Sequence, residues 1–387
     1  MNNKKISAFQ LVLFLGLIFL YFFTRLHHLT RLPVFCDEAI YVRWAQIMRS
    51  EPSLRFLPLQ DGKQPLFMWL VMPALKIFSD PLFAGRMVSV MAGLMSLLGV
   101  IILPIIVNRP IVVGLISGLF YTLAPFTLFF DRMALVDPLL SALGIWSLIL
   151  AILLGQTKRL DVAMVLGMTL GGALLVKSPA IFFLLMTPII IFVRNFKSNP
   201  QFFKSTLLLG VVLFFAFVIY NVLRLGPNFQ MIGIRNKDYI YSFNEIIKHP
   251  FHPFLENIKS AFRYYWHYLT PPVFVLGLVG ILIEIKKFAS LKFAWRNLGL
   301  LFWWGAPLLA QVSVAKVFTA RYILFSVPLF ILFASYGLQA ILKKLKIKAV
   351  ILLILLPTLF FDWHLWRNPI KASFPEDERA GYLEDWT

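Results

Sequence analysis

Nine ionisable residues punctuate a chain that is otherwise mostly apolar: Asp37, Glu38, Lys63, Asp131, Arg132, Asp137, Lys177, Lys316 and Arg321. Their types suit one chemistry. The carboxylates of Asp37, Glu38 and Asp137 could take a proton from a hydroxyl nucleophile. Lys63, Arg132, Lys177 and Arg321 could hold a departing phosphate. The pair in Cys36-Asp37-Glu38-Ala39-Ile40-Tyr41 directly follows a hydrophobic segment, where acids are costly, so it is a functional candidate from the outset. A divalent cation could sit between carboxylates, with Asp37 its candidate ligand. Partial burial, or the like charge of Glu38 next door, would raise the pKa of Asp37 and make it a better base.

Each residue also has a plainer reading. Asp37-Glu38 could be a solvated loop pair. Lys63, Lys177 and Lys316 could snorkel to an interface. Asp137 before Pro138 suits a helix cap. His27, His28, His249, His252 and His267 match no metal-binding spacing. Phe262-Arg263-Tyr264-Tyr265-Trp266 reads as an interfacial aromatic belt, with sugar stacking the alternative.

The elements that must position these groups are membrane helices. The 387 residues are 59% hydrophobic and 14% charged, against about 45–50% and roughly 25% in soluble domains. This predicts an all-α polytopic membrane protein; the alternating segments of a β-barrel are absent. Eleven spans are expected, at 8–24, 83–107, 111–130, 138–155, 162–176, 178–193, 205–223, 271–286, 297–314, 322–341 and 349–363. A further stretch, 65–78, is too short to cross and is expected in the interface. That parity puts Lys4, Lys5, Arg109, Lys158, Arg159, Arg194, Lys197, Lys204, Lys286, Lys287, Lys292, Arg296, Lys343, Lys344, Lys346 and Lys348 on the cytoplasmic side, the positive-inside pattern.

The net charge of +19 therefore belongs to basic loops and anionic lipid rather than to nucleic acid binding. The one cysteine, Cys36, excludes an internal disulfide. The N-terminus reads as a retained signal anchor. Asp80-Pro81, Asp137-Pro138, Ser178-Pro179 and Thr270-Pro271 mark helix starts.

The candidate residues then collect on the outer face, in connections that include two long exterior loops, 25–82 and 224–270. Residues 1–363 form the expected transmembrane domain. Residues 364–387 turn acidic and read as the start of an interrupted exterior segment.

Several motifs, in this order, resemble the GT-C membrane glycosyltransferases, closest to the protein mannosyltransferase and aminoarabinose transferase superfamily. They are Asp37-Glu38 after the first span, Lys63-Gln64-Pro65-Leu66, the Arg86 region, the Arg132-to-Asp137-Pro turn, Lys177-Ser178-Pro179 and Arg321-Tyr322. The resemblance implies a bundle of about eleven spans with interfacial helices in the first exterior loop. It implies an inverting glycosyltransferase in the cytoplasmic membrane, acting on the extracytoplasmic face with a polyprenyl-phosphate sugar donor and an extracytoplasmic acceptor. Asp37 would be the base or metal-linked acid, Lys63 the lysine that holds the lipid phosphate, Asp137 the second acid, and Arg321 a phosphate contact. Two departures stand out: Gln64 replaces a proline of the family pattern, and Gly62 stands where an acid is frequent. The alternatives are a flippase for a lipid-linked sugar, which would keep polar sites near the bilayer midplane, and a non-catalytic scaffold subunit.

Overall fold

The computed structural model describes residues 7–192, 199–249, 251–289, 294–345 and 349–367, with Pro375, Glu378 and Tyr382. Of the expected features, Lys4, Lys5, Arg194, Lys197, Lys292, Lys346, Lys348 and most of 364–387 lie outside these residues. Among the described residues the chain is helical, with one isolated bridge between Ile240 and Ala315.

The helices are α1 (Ala8–Leu26), α2 (Cys36–Ser50), α3 (Leu66–Ile77), α4 (Pro81–Ile106), α5 (Ile111–Leu123), α6 (Pro125–Phe130), α7 (Val136–Thr157), α8 (Leu160–Leu174) and α9 (Ile181–Phe192). They continue with α10 (Asn199–Asn221), α11 (Met231–Tyr239), α12 (Phe243–Lys248), α13 (Phe254–Tyr268), α14 (Pro271–Ala289), α15 (Ala294–Val314), α16 (Val327–Leu345) and α17 (Ala349–Arg367). Among the described residues five helical stretches are long and apolar enough to cross a membrane: Ala8–Leu26, Pro81–Ile106, Val136–Thr157, Gln201–Leu225 and Ala320–Lys343. The chain is an all-α polytopic membrane protein, and every expected span falls on helical segments, 111–130 on two of them. At twelve residues, α3 is only about 18 Å long against a hydrocarbon core of about 30 Å.

Helix starts follow the local chemistry. Pro81 occupies the first position of α4, and the Asp80 carboxylate accepts from the Leu82 and Phe83 amides at 2.9 and 3.4 Å. Asp137 breaks this pattern: α7 begins one residue earlier, at Val136, and carries no side-chain cap. The expected span 111–130 is also broken. Pro125 cannot continue a helix from α5, because proline lacks an amide hydrogen and disfavours helical geometry in the residue before it. The carbonyls freed by the break are taken by a buried arginine: Arg25 donates to the Thr122 and Tyr121 oxygens. The aromatic run after Phe262 is only partly a belt. Phe262 and Trp266 are exposed, but Tyr264, Tyr265 and Tyr268 are buried, Tyr264 against Phe318, Tyr265 against Phe274 and Phe330, and Tyr268 against Phe126.

The core centres on α4, α7 and α16. α7 packs against α4, α8 and α9, and α16 against α14 and α5. α14 and α16 touch backbone to backbone. A Cβ built on Gly280 would lie 1.8 Å from the Phe333 oxygen, and one on Gly337 would lie 2.2 Å from the Leu276 oxygen. Packing this dense rejects even one added methyl. Gly280→Ala should therefore destabilise the protein by about 1–3 kcal/mol, read as a lower Tm in detergent, whereas Gly16→Ala, with open space around it, should not.

Candidate active site

α4 places its two ends on opposite sides of the bundle. At one end Arg86 meets the α2 segment; at the other Arg109, just beyond Ile106, pairs with Glu284 at 3.0 Å. Lys287 also reaches Glu284, at 2.6 Å. The candidate residues gather at the Arg86 end.

Asp37 sits in the first turn of α2, where a helix N-terminus favours negative charge. Its two oxygens are held by different cations: Oδ1 by Lys63 at 3.4 Å and Oδ2 by Arg321 at 2.6 Å. Arg321 rides on a 3₁₀ turn, Ala320–Ser326, that leads into α16. Its guanidinium lies 5.1 Å from the Phe35 ring centre and 5.3 Å from that of Tyr322. Lys63 follows Gly62, which takes a left-handed φ of 66°. Its ammonium also pairs with Asp61 at 3.4 Å and faces the Tyr41 ring at 5.2 Å. Burial pushes the Tyr41 phenol well above its ordinary value, with the Asp37 charge adding to the effect.

A second ion pair adjoins the first. Asp137 is buried at the start of α7, and its Oδ1 accepts from Lys177 at 2.7 Å. Its Oδ2 is buried without a hydrogen-bond partner. Lys177 lies in the turn after α8 with its ammonium 4.0 Å from the Tyr322 ring centre. Tyr322 and Arg321 thus join the two pairs. The five charged groups Asp37, Lys63, Asp137, Lys177 and Arg321 leave one formal positive charge in excess.

Burial acts to raise the Asp37 pKa, but Arg321 and then Lys63 outweigh it and hold the carboxyl below 3.8. This reverses the expected upward shift, because Glu38 is not the neighbour that matters. With the folded value depressed, the stabilisation from these pairs is present above the ordinary carboxylate range. It is lost only as pH falls through the lowered value.

Glu38 itself points the other way. Successive helical residues are rotated by about 100°, which carries Glu38 into the interior. There Arg86 grips it twice, Nε to Oε1 and Nη2 to Oε2, both at 2.8 Å. The Ala134 and Phe35 amides complete its shell at 2.6 and 3.1 Å. Arg86 spends its remaining donors on the Leu29, Leu32 and Pro33 oxygens. Glu38 is therefore a staple beneath the group around Asp37, which the structure does not bring it to join.

Arg132 is likewise not brought to the group. It is buried, and its Nη2 donates to the His27 and His28 oxygens at 2.9 Å. Asp131 turns inward to Arg25 at 3.4 Å, with the Tyr21 and Tyr121 hydroxyls each 3.3 Å away. Lys316 donates to the Lys237 oxygen at 3.1 Å. Through Arg25, Asp131 serves the helix break at Pro125, while Arg132 caps the end of α1, roles invisible without the fold.

The residues around Asp37 do not make a metal donor set. Its oxygens already face an ammonium and a guanidinium, and no cluster of three or more metal-ligating side chains occurs among the described residues.

One site residue carried no signal in the sequence. Tyr382 is buried against Phe35 at a ring-centre distance of 4.6 Å and lies in the electrostatic field of Arg321 and Asp137. Glu378 accepts from the Ala320 amide at 3.0 Å, at the start of the turn that bears Arg321.

Beside the ion pairs runs an apolar cavity of about 780 Å³ between α8, α9 and α10. Leu174, Leu184, Leu213, Phe214 and Phe217 line it, and Gln64, Ser178 and Asn236 mark a polar patch in its wall.

The two adjacent acids should behave oppositely. Glu38→Gln strands Arg86 in the interior and should cost about 3–5 kcal/mol of stability, seen as a large drop in Tm. Asp37→Asn should leave a folded protein with a much smaller drop in Tm, because its cation partners are partly solvated.

No protein-family model matches the chain, and no curated protein matches it. Solved structures do. ArnT from Cupriavidus metallidurans bound to undecaprenyl phosphate superposes with a TM-score of 0.60 at 16% identity, over 97% of this chain and 68% of that one. The apo form of the same ArnT gives 0.59 at 16% identity, over 97% and 67%. The chain therefore shares its fold with ArnT, an all-α membrane fold as expected.

Proposed function

We propose that the protein is an inverting glycosyltransferase that moves one sugar from a polyprenyl-phosphate carrier to a hydroxyl acceptor at the outer face of the cytoplasmic membrane. The observation that carries this reading is the juxtaposition of three cations and two carboxylates with an apolar cavity. A phosphate is a suitable guest for Lys63, Lys177 and Arg321, and an isoprenoid chain suits a groove lined by leucine and phenylalanine. The shared fold with ArnT, solved with undecaprenyl phosphate bound, agrees with that guest.

The chemistry follows from the charges. The acceptor oxygen attacks the anomeric carbon from the face opposite the phosphate. The bond from that carbon to the phosphate oxygen breaks, and its electron pair leaves on the phosphate. Lys63, Lys177 and Arg321 stabilise the charge that develops there. The acceptor proton passes to a carboxylate, for which Asp37 is the assigned base. In the free site Asp37 is a poor base, because Arg321 and Lys63 hold its pKa down. A donor phosphate that draws those cations toward itself removes that restraint, so donor binding raises the basicity of Asp37 when it is needed. Asp137, with one oxygen on Lys177 and the other unpartnered, holds the second lysine in place.

The flippase alternative is disfavoured by where the charges lie: they sit at helix starts and in turns at one end of the bundle. The acceptor is taken to be a protein, a lipid or a cell-envelope glycan. No step requires a metal ion, in keeping with the donor set around Asp37.

Detergent-purified protein should transfer radiolabel from a polyprenyl-phosphate sugar without a second compartment, and should keep doing so in EDTA. Asp37→Asn should abolish transfer while leaving polyprenyl phosphate bound. Normal turnover in that variant removes Asp37 from the mechanism. Lys63→Ala and Arg321→Ala should each weaken polyprenyl phosphate binding, by about tenfold for a charge-assisted contact worth about 1.5 kcal/mol.

A further inference from the structure

Lys63 and Lys177 come from segments far apart in sequence, one before α3 and one after α8. They carry like charges and must still converge. In the free site each is restrained by carboxylates, Lys63 by Asp37 and Asp61 and Lys177 by Asp137. Those ion pairs are what an incoming phosphate would exchange. Something uncharged must therefore keep the two segments in register once the carboxylates are displaced.

A neutral network has the right placement. Gln64, next to Lys63, is buried, and its Nε2 donates to the Ser178 Oγ at 2.9 Å. Ser178 is next to Lys177, and its hydroxyl donates onward to the Asn236 Oδ1 of α11 at 3.3 Å. The same two segments are joined through their backbones by the Leu66 amide and the Leu175 oxygen at 3.0 Å. α11 is pressed on the Lys63 segment as well. Arg235 pairs with Asp61 at 2.7 Å, and a Cβ on Gly62 would meet the Arg235 Cβ and the Met231 oxygen at 2.7 Å. Gln64, Ser178 and Asn236 are also the polar members of the wall around the apolar cavity. The donors and acceptors therefore run in one direction, from amide to hydroxyl to amide oxygen, between the two lysines and a helix of the second exterior loop.

We infer that Gln64 is a positioning residue: through Ser178 and Asn236 it fixes the separation of Lys63 and Lys177 and so prepares both for one phosphate. The inference about the phosphate rests on the function proposed above; the inference about the separation does not. Gln64→Met keeps the length of the side chain and removes its carboxamide. Hydrogen bonds of this kind are worth a modest amount each, so Gln64→Met and Ser178→Ala should each raise the KM for a polyprenyl-phosphate sugar about three- to tenfold. Maximal turnover should stay nearly unchanged. Because both variants cut the same bond, the double variant should be no worse than the weaker single one.

Two measurements decide the matter. In a Cys36→Ser background, Lys63→Cys and Lys177→Cys are bridged with a short bifunctional maleimide, with and without Gln64→Met. The expected result is a clear loss of bridging in the Gln64→Met protein at an unchanged Tm. Equal bridging yields overturn the positioning role, whatever the lipid does. The KM series is then read separately: wild-type KM in Gln64→Met, or additive effects of the two variants, also overturns it. Lost bridging in a protein that transfers no sugar and binds no polyprenyl phosphate leaves the separation device standing and refutes the proposed function alone.

Discussion

The pairing of Asp37 with two cations of different origin organises one end of the helical bundle. A carboxylate at a membrane surface is costly unless opposite charge meets it. Asp37 meets Lys63 from the segment before α3 and Arg321 from the turn before α16. Those elements must be brought to one point for the pair to exist, and much of the surrounding structure does that work. Glu38 and Arg86 pin α2 to α4 and to the turn before α7, because the Ala134 amide also donates to Glu38. Arg25 compensates the broken α5–α6 junction and holds Asp131 away from the site. The deep ion pair is permanent and saturated with hydrogen bonds. The shallow ones have fewer hydrogen bonds and are partly solvated, the side of such a division where a charged ligand could act.

Much of the fold was legible because lipid imposes a simple rule. Backbone polar groups must be satisfied within each span, so long apolar runs become helices. Lys63, Lys177, Arg321, Asp37 and Asp137 were legible as a group because each stands beside the end of an apolar run on the same side. Glu38 was not separable from Asp37 in the sequence, since the rotation of one helical residue decides which acid is buried. Asp137 was read as a possible cap, yet α7 starts early enough to leave its carboxylate for Lys177. Arg132 was misplaced for a different reason. Its partners are the His27 and His28 oxygens, more than a hundred residues away, and carbonyl acceptors leave no trace in side-chain identity. Tyr382 and the contact of α11 with the first loop depend on long-range packing for which the chain carries no local pattern.

Two residues flanking Lys63 become intelligible together. The tight approach of α11 explains glycine at position 62: a side chain there would strike Arg235 and the Met231 oxygen. Negative charge sits one residue earlier, on Asp61, which bridges Lys63 and Arg235. Gln64 supplies the side-chain amide that reaches Ser178. Both residues face the same helix. A loop stiffened by proline needs no outside support, whereas a loop with glycine and glutamine must borrow its rigidity from a neighbour. Here α11 provides it, so the segment between α10 and α13 becomes part of the mechanical frame of the segment between α2 and α3. On that view the spacing of the two lysines is a property of both loops at once, and variation in residues 231–239 can retune the site without touching any charged group in it.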